Sequence, residues 1–193
     1  MLKVGLTGGI GSGKSVVSDL IRLLGYPVYN SDNRAKELSD TDDTIRRSLM
    51  ALLGDEIYND SHLNRTLLAS LMFGDASKIA AVNAIIHPVV FADFKIWCAA
   101  QSSPLIFAES AILVESGFAA LMDKIILVDA PDALRLQRVM ERDNMTAEMV
   151  QQRMNAQFPL AKLRLCSDYV IHNDNEQLLI SQILGIINNL VSL

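Results

Sequence analysis

Gly8-Gly9-Ile10-Gly11-Ser12-Gly13-Lys14-Ser15 fills the pattern G-x-x-x-x-G-K-[ST]. Upstream, Leu2-Lys3-Val4-Gly5-Leu6-Thr7 alternates toward an apolar strand, and downstream Val16, Val17, Leu20, Ile21 and Leu24 recur at helical spacing until Gly25. A strand, a glycine-rich turn and a helix start, in that order, are the context in which this pattern binds phosphate. Backbone N–H groups there curl around an anion and the new helix directs its positive end at the same point. Lys14 reaches the β- and γ-phosphate oxygens, and the Ser15 hydroxyl is placed to ligate Mg2+. The stretch predicts a site for a nucleoside triphosphate.

Working outward, Pro27-Val28-Tyr29-Asn30-Ser31-Asp32 reads as a short second strand with Asp32 at its carboxyl end. From about Asn33 to Ala100 no strong strand signal follows. Ile45, Leu49, Leu52 and Leu53 form one helical stripe, Leu67, Leu68, Leu71 and Met72 a second, and Ile79, Val82, Ile85 and Ile86 a third. His87-Pro88 interrupts the third, and Val90, Phe94 and Trp97 make a fourth. Strands return as the apolar runs Pro104 to Glu109 and Lys124 to Asp129, which read as buried on both faces. Pro131 opens an Arg-rich helix from Asp132 to about Asp143, and Thr146 caps another that runs to Gln157, where Phe158-Pro159 breaks it. Tyr169-Val170-Ile171 is a last short strand before a C-terminal helix.

Strands alternating with helices predict an α/β fold, a P-loop NTPase-type parallel sheet flanked by helices with ligands at the carboxyl ends of the strands. The expected organisation is a single domain over 1–193, with a helical substrate insertion over about 33–101 and an Arg-rich lid over about 135–165.

Half of the 193 residues are hydrophobic and a fifth are charged, the balance of a globular chain with a full core. The most apolar stretch, Leu178 to Leu193, is broken by Ser181, Gln182, Gly185 and Asn188-Asn189, so no membrane span is expected. The first strand is expected to begin almost at the amino terminus, and on that reading no signal peptide is expected. Cys98 and Cys166 stand far apart without ligand spacing, and the cytoplasm is the expected compartment. A net charge of −5 argues against a nucleic-acid partner. Yet five of the ten arginines, Arg135, Arg138, Arg142, Arg153 and Arg164, fall with Lys162 in one late segment, as binding a polyanion would require.

Two function classes fit a phosphate loop: a small-molecule kinase, and a switch or motor that hydrolyses its nucleotide. Neither Asn-Lys-x-Asp nor Asp-x-x-Gly, which mark guanine-specific switches, occurs in the chain. Phosphoryl transfer needs positioning and neutralisation of charge, so an Arg-rich late segment favours the kinase. Arg135, Arg138 and Arg142 stand three and four apart and are expected on one helix face, either as phosphate contacts or as a solvated basic surface. Three acids stand at predicted strand ends. Asp32 is the candidate general base. Glu109 is a candidate to hold Mg2+ through water or to serve as a structural hydrogen-bond acceptor, and Asp129 reads more simply as a helix cap than as a metal-holding acid.

Thr7 to Ser15, Val28-Tyr29-Asn30-Ser31-Asp32, Leu63-Asn64-Arg65 with Phe73, Ile86-His87-Pro88, Ile112-Leu113-Val114-Glu115, Arg142-Asp143 and Val170-Ile171-His172-Asn173 together resemble the dephospho-CoA kinase family over nearly the whole chain. The resemblance implies ATP-dependent phosphorylation of the ribose 3′-hydroxyl of dephospho-CoA with Mg2+, giving coenzyme A and ADP. By position it implies Asp32, Lys14 and Arg142 as catalytic groups. It implies Gly9, Ile10, Gly11, Ser12, Gly13, Lys14, Ser15, Val16, Arg138 and Asn173 at ATP, with Ser15 at the metal. Thr7, Asp32, Arg65, Phe73, His87 and Leu113 fall at the acceptor, although Phe73 also fits a core role and His87 a satisfied helix-end role. The chain departs from the family's usual Asp-x-Asp at Asn30 and from its Pro-Leu-Leu at Ala111-Ile112-Leu113. A monomer is the expected state, and other P-loop small-molecule kinases are the alternative.

Overall fold

The computed structural model describes residues 1–192. Two compact units emerge, Met1–Tyr29 with Gln101–Leu193, and Asn30–Ala100. In the first, strand β1 (Leu2–Thr7) pairs in parallel with β5 (Leu105–Glu109) on one side and with β6 (Lys124–Asp129) on the other, and β7 (Tyr169–His172) runs parallel to β6. With β2 (Val28–Asn30) outside β5, the order is β2-β5-β1-β6-β7. Val4, Leu6, Phe107 and Val128 are fully buried because helices cover both faces of these strands. Helix α1 (Lys14–Leu23) contributes Val17 and Ile21 to that core, and α9 (Leu179–Val191) contributes Ile183 and Ile187. Gln182 of α9 also closes the sheet edge, accepting from His172 N–H at 2.8 Å and donating to its C=O at 2.9 Å. The Arg-rich segment forms α6 (Asp132–Asp143), α7 (Ala147–Asn155) and α8 (Leu160–Leu165).

The second unit contains α2 (Ser31–Thr41), α3 (Asp43–Leu53), α4 (Arg65–Met72) and α5 (Ala76–Ala99). Each starts where a short polar side chain takes the first free N–H groups: Asn30, Asp42, Asn64 and Asp75 all accept from backbone N–H groups of the turn that follows. Between α3 and α4 a small antiparallel pair, β3 (Tyr58–Asn59) and β4 (His62–Leu63), turns at Asp60 with φ 53°.

Four expectations need correction. The second strand ends at Asn30, and Asp32 lies in the first turn of α2, because the Asn30 side chain accepts from Asn33 N and starts the helix there. Pro88 does not divide the third and fourth stripes: α5 is continuous through it, sacrificing one N–H bond while apolar residues on both sides pack together. The supposedly strand-free insertion holds the β3–β4 pair. Finally, α5 and not the C-terminal stretch is the most span-like segment, long and apolar enough by length and composition to cross a membrane. Within its unit, however, Asp93 of α5 binds Arg34 of α2 through two hydrogen bonds of 2.8 Å, and Val82, Val90 and Phe94 are buried.

Candidate active site

Residues 8–13 must turn the chain from the end of β1 into α1. Gly11 at φ 78° and Gly13 at φ 91° take left-handed values, and a methyl on Gly13 would run into Asn173 Nδ2. Asn173 reaches that point from the end of β7, where its side chain donates to Ser12 O at 2.8 Å and its own N–H is held by Asp129 O at 2.8 Å. Arg138 of α6 donates to Asn173 O at 3.2 Å and to Asn175 Oδ1 at 2.7 Å, and its Nη1 stands 3.5 Å from Gly11 O. Phosphate loop, Arg138 and Asn173 are thus one hydrogen-bonded cluster.

Lys14 Nζ donates to Gly8 O at 2.7 Å, which lays the ammonium across the loop. Ser15 Oγ donates to Glu109 Oε1 at 3.2 Å, and Ser18 Oγ to Glu109 Oε2 at 2.8 Å. Glu109, at the end of β5, is buried. Hydroxyl and carboxylate beside a phosphate loop make a hard-oxygen donor set of the kind Mg2+ takes together with phosphate oxygens and water. Among the described residues no group of three or more His, Cys, Asp or Glu could hold a metal by itself.

The three arginines of α6 stand three and four apart on one helix but differ in exposure. Arg135 is 4% exposed, Arg138 is half-buried, and the Arg142 side chain is 62% exposed. The solvated reading is therefore excluded for Arg135, which donates through Nε to Ile10 O at 2.9 Å. Arg142 clasps its neighbour Asp143 through Nε and Nη2 at 2.7 and 3.0 Å, and Arg153 adds a contact to the same carboxylate at 3.3 Å. The Arg142 hydrogen bond holds the Asp143 carboxyl below its ordinary range. Asp129 does not cap α6, which begins after Pro131 with no side-chain cap; its buried carboxylate instead receives Arg164.

Thr7 and Leu113, assigned by resemblance to the acceptor, are both fully buried in the sheet unit. Leu113 packs over Gly5 closely enough that a methyl there would press on its Cδ2 at 2.6 Å. In the helical unit, Arg65 opens α4 and donates to Asp40 Oδ2 at 2.8 Å and to Lys36 O at 2.9 Å. Burial works to raise the Asp40 pKa, but the hydrogen bonds from Arg65 and Leu63 N outweigh it and leave it lowered. Phe73, at the end of α4, is 91% exposed, which removes the core reading. His87 sits inside α5 and not at a helix end, stacked on Phe91 at 6.0 Å, and burial pushes its imidazole toward the neutral form. Val16 is exposed on the first turn of α1.

Two contacts on this cluster escaped the sequence reading: Ser18, which shares Glu109 with Ser15, and Gln157, whose Oε1 accepts from Ile10 N–H at 2.7 Å. Serine four residues into a helix and a lone glutamine before Phe-Pro belong to no spacing pattern.

The family model described as dephospho-CoA kinase matches residues 2–178. The chain belongs to the dephospho-CoA kinase family. Proteins named dephospho-CoA kinase from Bacteroides fragilis (strain YCH46) and Porphyromonas gingivalis are each 44% identical to it. The first aligns over 96% of this chain and 91% of its own length, the second over 97% and 93%. A solved structure from Thermus thermophilus, 30% identical, superposes with a TM-score of 0.88 over 98% of this chain and 97% of its own. Shikimate kinase from Acinetobacter baumannii, at 16% identity and a TM-score of 0.56, covers the whole of this chain with 94% of its own and shares the fold. A member of this family is a kinase, and the switch or motor alternative falls away.

Proposed function

We propose that the protein transfers the γ-phosphoryl group of ATP to the ribose 3′-hydroxyl of dephospho-CoA, giving coenzyme A and ADP. The observation that carries this reading is an assembled phosphate loop, with Lys14 laid across it and Ser15 on Glu109, in a chain of the dephospho-CoA kinase family. Loop N–H groups between Gly9 and Val16, apart from the Ile10 N–H that Gln157 holds, bind the phosphates, Lys14 neutralises charge that develops on the transferring group, and Arg138 with Asn173 flanks the base of the nucleotide. Ser15, and Glu109 through water, would hold Mg2+, which supplies charge neutralisation across the β- and γ-phosphates when bound. Asp32 accepts the proton of the attacking hydroxyl. Arg65, Phe73 and His87 of the helical unit contact the acceptor, and Arg142 leaves Asp143 to meet the phosphates. The protein acts as a cytoplasmic monomer without nucleic-acid or membrane partners.

Incubation with Mg-ATP and dephospho-CoA, followed by mass analysis, should yield coenzyme A and an equal amount of ADP. ATP hydrolysis indifferent to dephospho-CoA would overturn the assignment.

A further inference from the structure

Both backbone polar groups of Ile10 are held from outside the phosphate loop. Its C=O accepts from Arg135 Nε at 2.9 Å, and its N–H donates to Gln157 Oε1 at 2.7 Å. The two holders differ in kind. Arg135 is buried, pinned by Asp132 Oδ1 at 2.9 Å, and lies so close over Gly9 that a methyl there would overlap its guanidinium. It is a fixed floor. Gln157 is half-buried and follows α7, directly before the Phe158-Pro159 break that precedes α8. Val150 is the buried residue of α7 and Leu163 that of α8, so this segment has little apolar surface to keep it down. Its hydrogen bond to Ile10 registers it on the loop.

The residue type matters as well. A carboxylate could accept the same N–H but would set a negative charge against the phosphates, whereas the amide oxygen of glutamine accepts without charge. We propose that Gln157 is a positioning residue for phosphoryl transfer, fixing the Ile10 N–H and thereby tying the geometry of the phosphate loop to the seating of the α7–α8 segment. The inference rests on the kinase reading above. Nucleotide affinity is spread over the other loop N–H groups, Lys14 and Arg138, so loss of one registering contact leaves affinity nearly intact. Rate is more sensitive, because transfer requires the reacting atoms in line.

Wild-type conversion of dephospho-CoA is measured first and tests the reaction itself. Gln157→Ala is then expected to lower kcat by about 10-fold, with KM for both substrates within about 2-fold and an unchanged melting temperature. Gln157→Glu keeps the accepting oxygen and should recover most of kcat while raising KM for ATP. Amide hydrogen exchange on the nucleotide-free protein needs no reaction: the Ile10 N–H should exchange faster in Gln157→Ala than in wild type, with the β1 amides equally protected in both. Wild-type kcat in Gln157→Ala, equal loss of kcat in both variants, or unchanged exchange at Ile10 would each overturn the proposal; failure of the wild type to form coenzyme A would overturn the kinase reading instead, and the exchange result still tests the Gln157 contact with the loop.

Discussion

A carboxylate that takes a proton and a leucine that fills space leave different signatures when removed. Asp32→Asn keeps size and hydrogen-bonding ability but loses the base, so kcat should fall about 100-fold or more while both substrates still bind. Steady-state kinetics with varied Mg2+ checks this, since partial rescue by raised metal would mean that Asp32 serves the cation instead. Leu113→Ala should behave in the opposite way. It opens a cavity over Gly5 and should cost about 3 kcal/mol in urea unfolding, with both KM values unchanged. A raised KM for dephospho-CoA in the folded variant would instead put Leu113 at the acceptor, as the resemblance implies. Lys14 and Ser15 could be placed on the phosphate loop because that pattern constrains type and spacing together, whereas Arg138 and Asn173 at the nucleotide follow from the resemblance and not from any local spacing. Leu113, which the resemblance puts at the acceptor, is fully buried, and sequence position cannot tell a side chain beside a site from one beneath it; Gln157 went unseen because a long-range contact of 147 residues leaves no local trace.

At the scale of elements, the departures from expectation come from capping and packing rather than from the hydrophobic pattern. The strands of the sheet and the apolar stripes of the helices stand where periodicity puts them. The boundary at Asn30 moved because asparagine can extend a strand or cap a helix, and the N–H of Asn33 decides for the cap. Asn30→Ala should therefore destabilise the protein by about 1 kcal/mol, while Asn30→Asp, which restores the family's usual acid, should be neutral, as thermal unfolding will show. Proline in α5 misled for a related reason: the cost of one missing bond is less than the burial gained by a continuous helix. The same helix carries a pH dependence. Burial lowers the His87 pKa from its ordinary 6.5, so the unfolded chain binds a proton that the folded chain refuses. Stability from this source is complete above pH 6.5 and declines as pH falls toward the lowered value. His87→Asn should flatten that decline in urea unfolding between about pH 5 and 7.5.

For the molecule as a whole, the chain's one tryptophan, Trp97, lies in α5 and reports the helical unit, whereas the β1 amides report the sheet. Nucleotide at a hundredfold excess over its Kd adds about 2.7 kcal/mol to whatever binds it. Urea unfolding with Mg-ADP should slow exchange of the β1 amides more than it shifts the Trp97 transition; equal shifts would mean that the two units unfold as one. The order of the sheet has a further consequence during synthesis. Leu2 pairs with Leu105 and Val4 with Lys124, so both neighbours of β1 are made only after the whole helical unit. At ~5–20 residues per second, β1 waits roughly 5 to 20 seconds for its first central partner. Residues 30–100 find contacts among themselves and can settle in that interval, while the phosphate loop, made before them, is among the last parts of the protein to acquire its working shape.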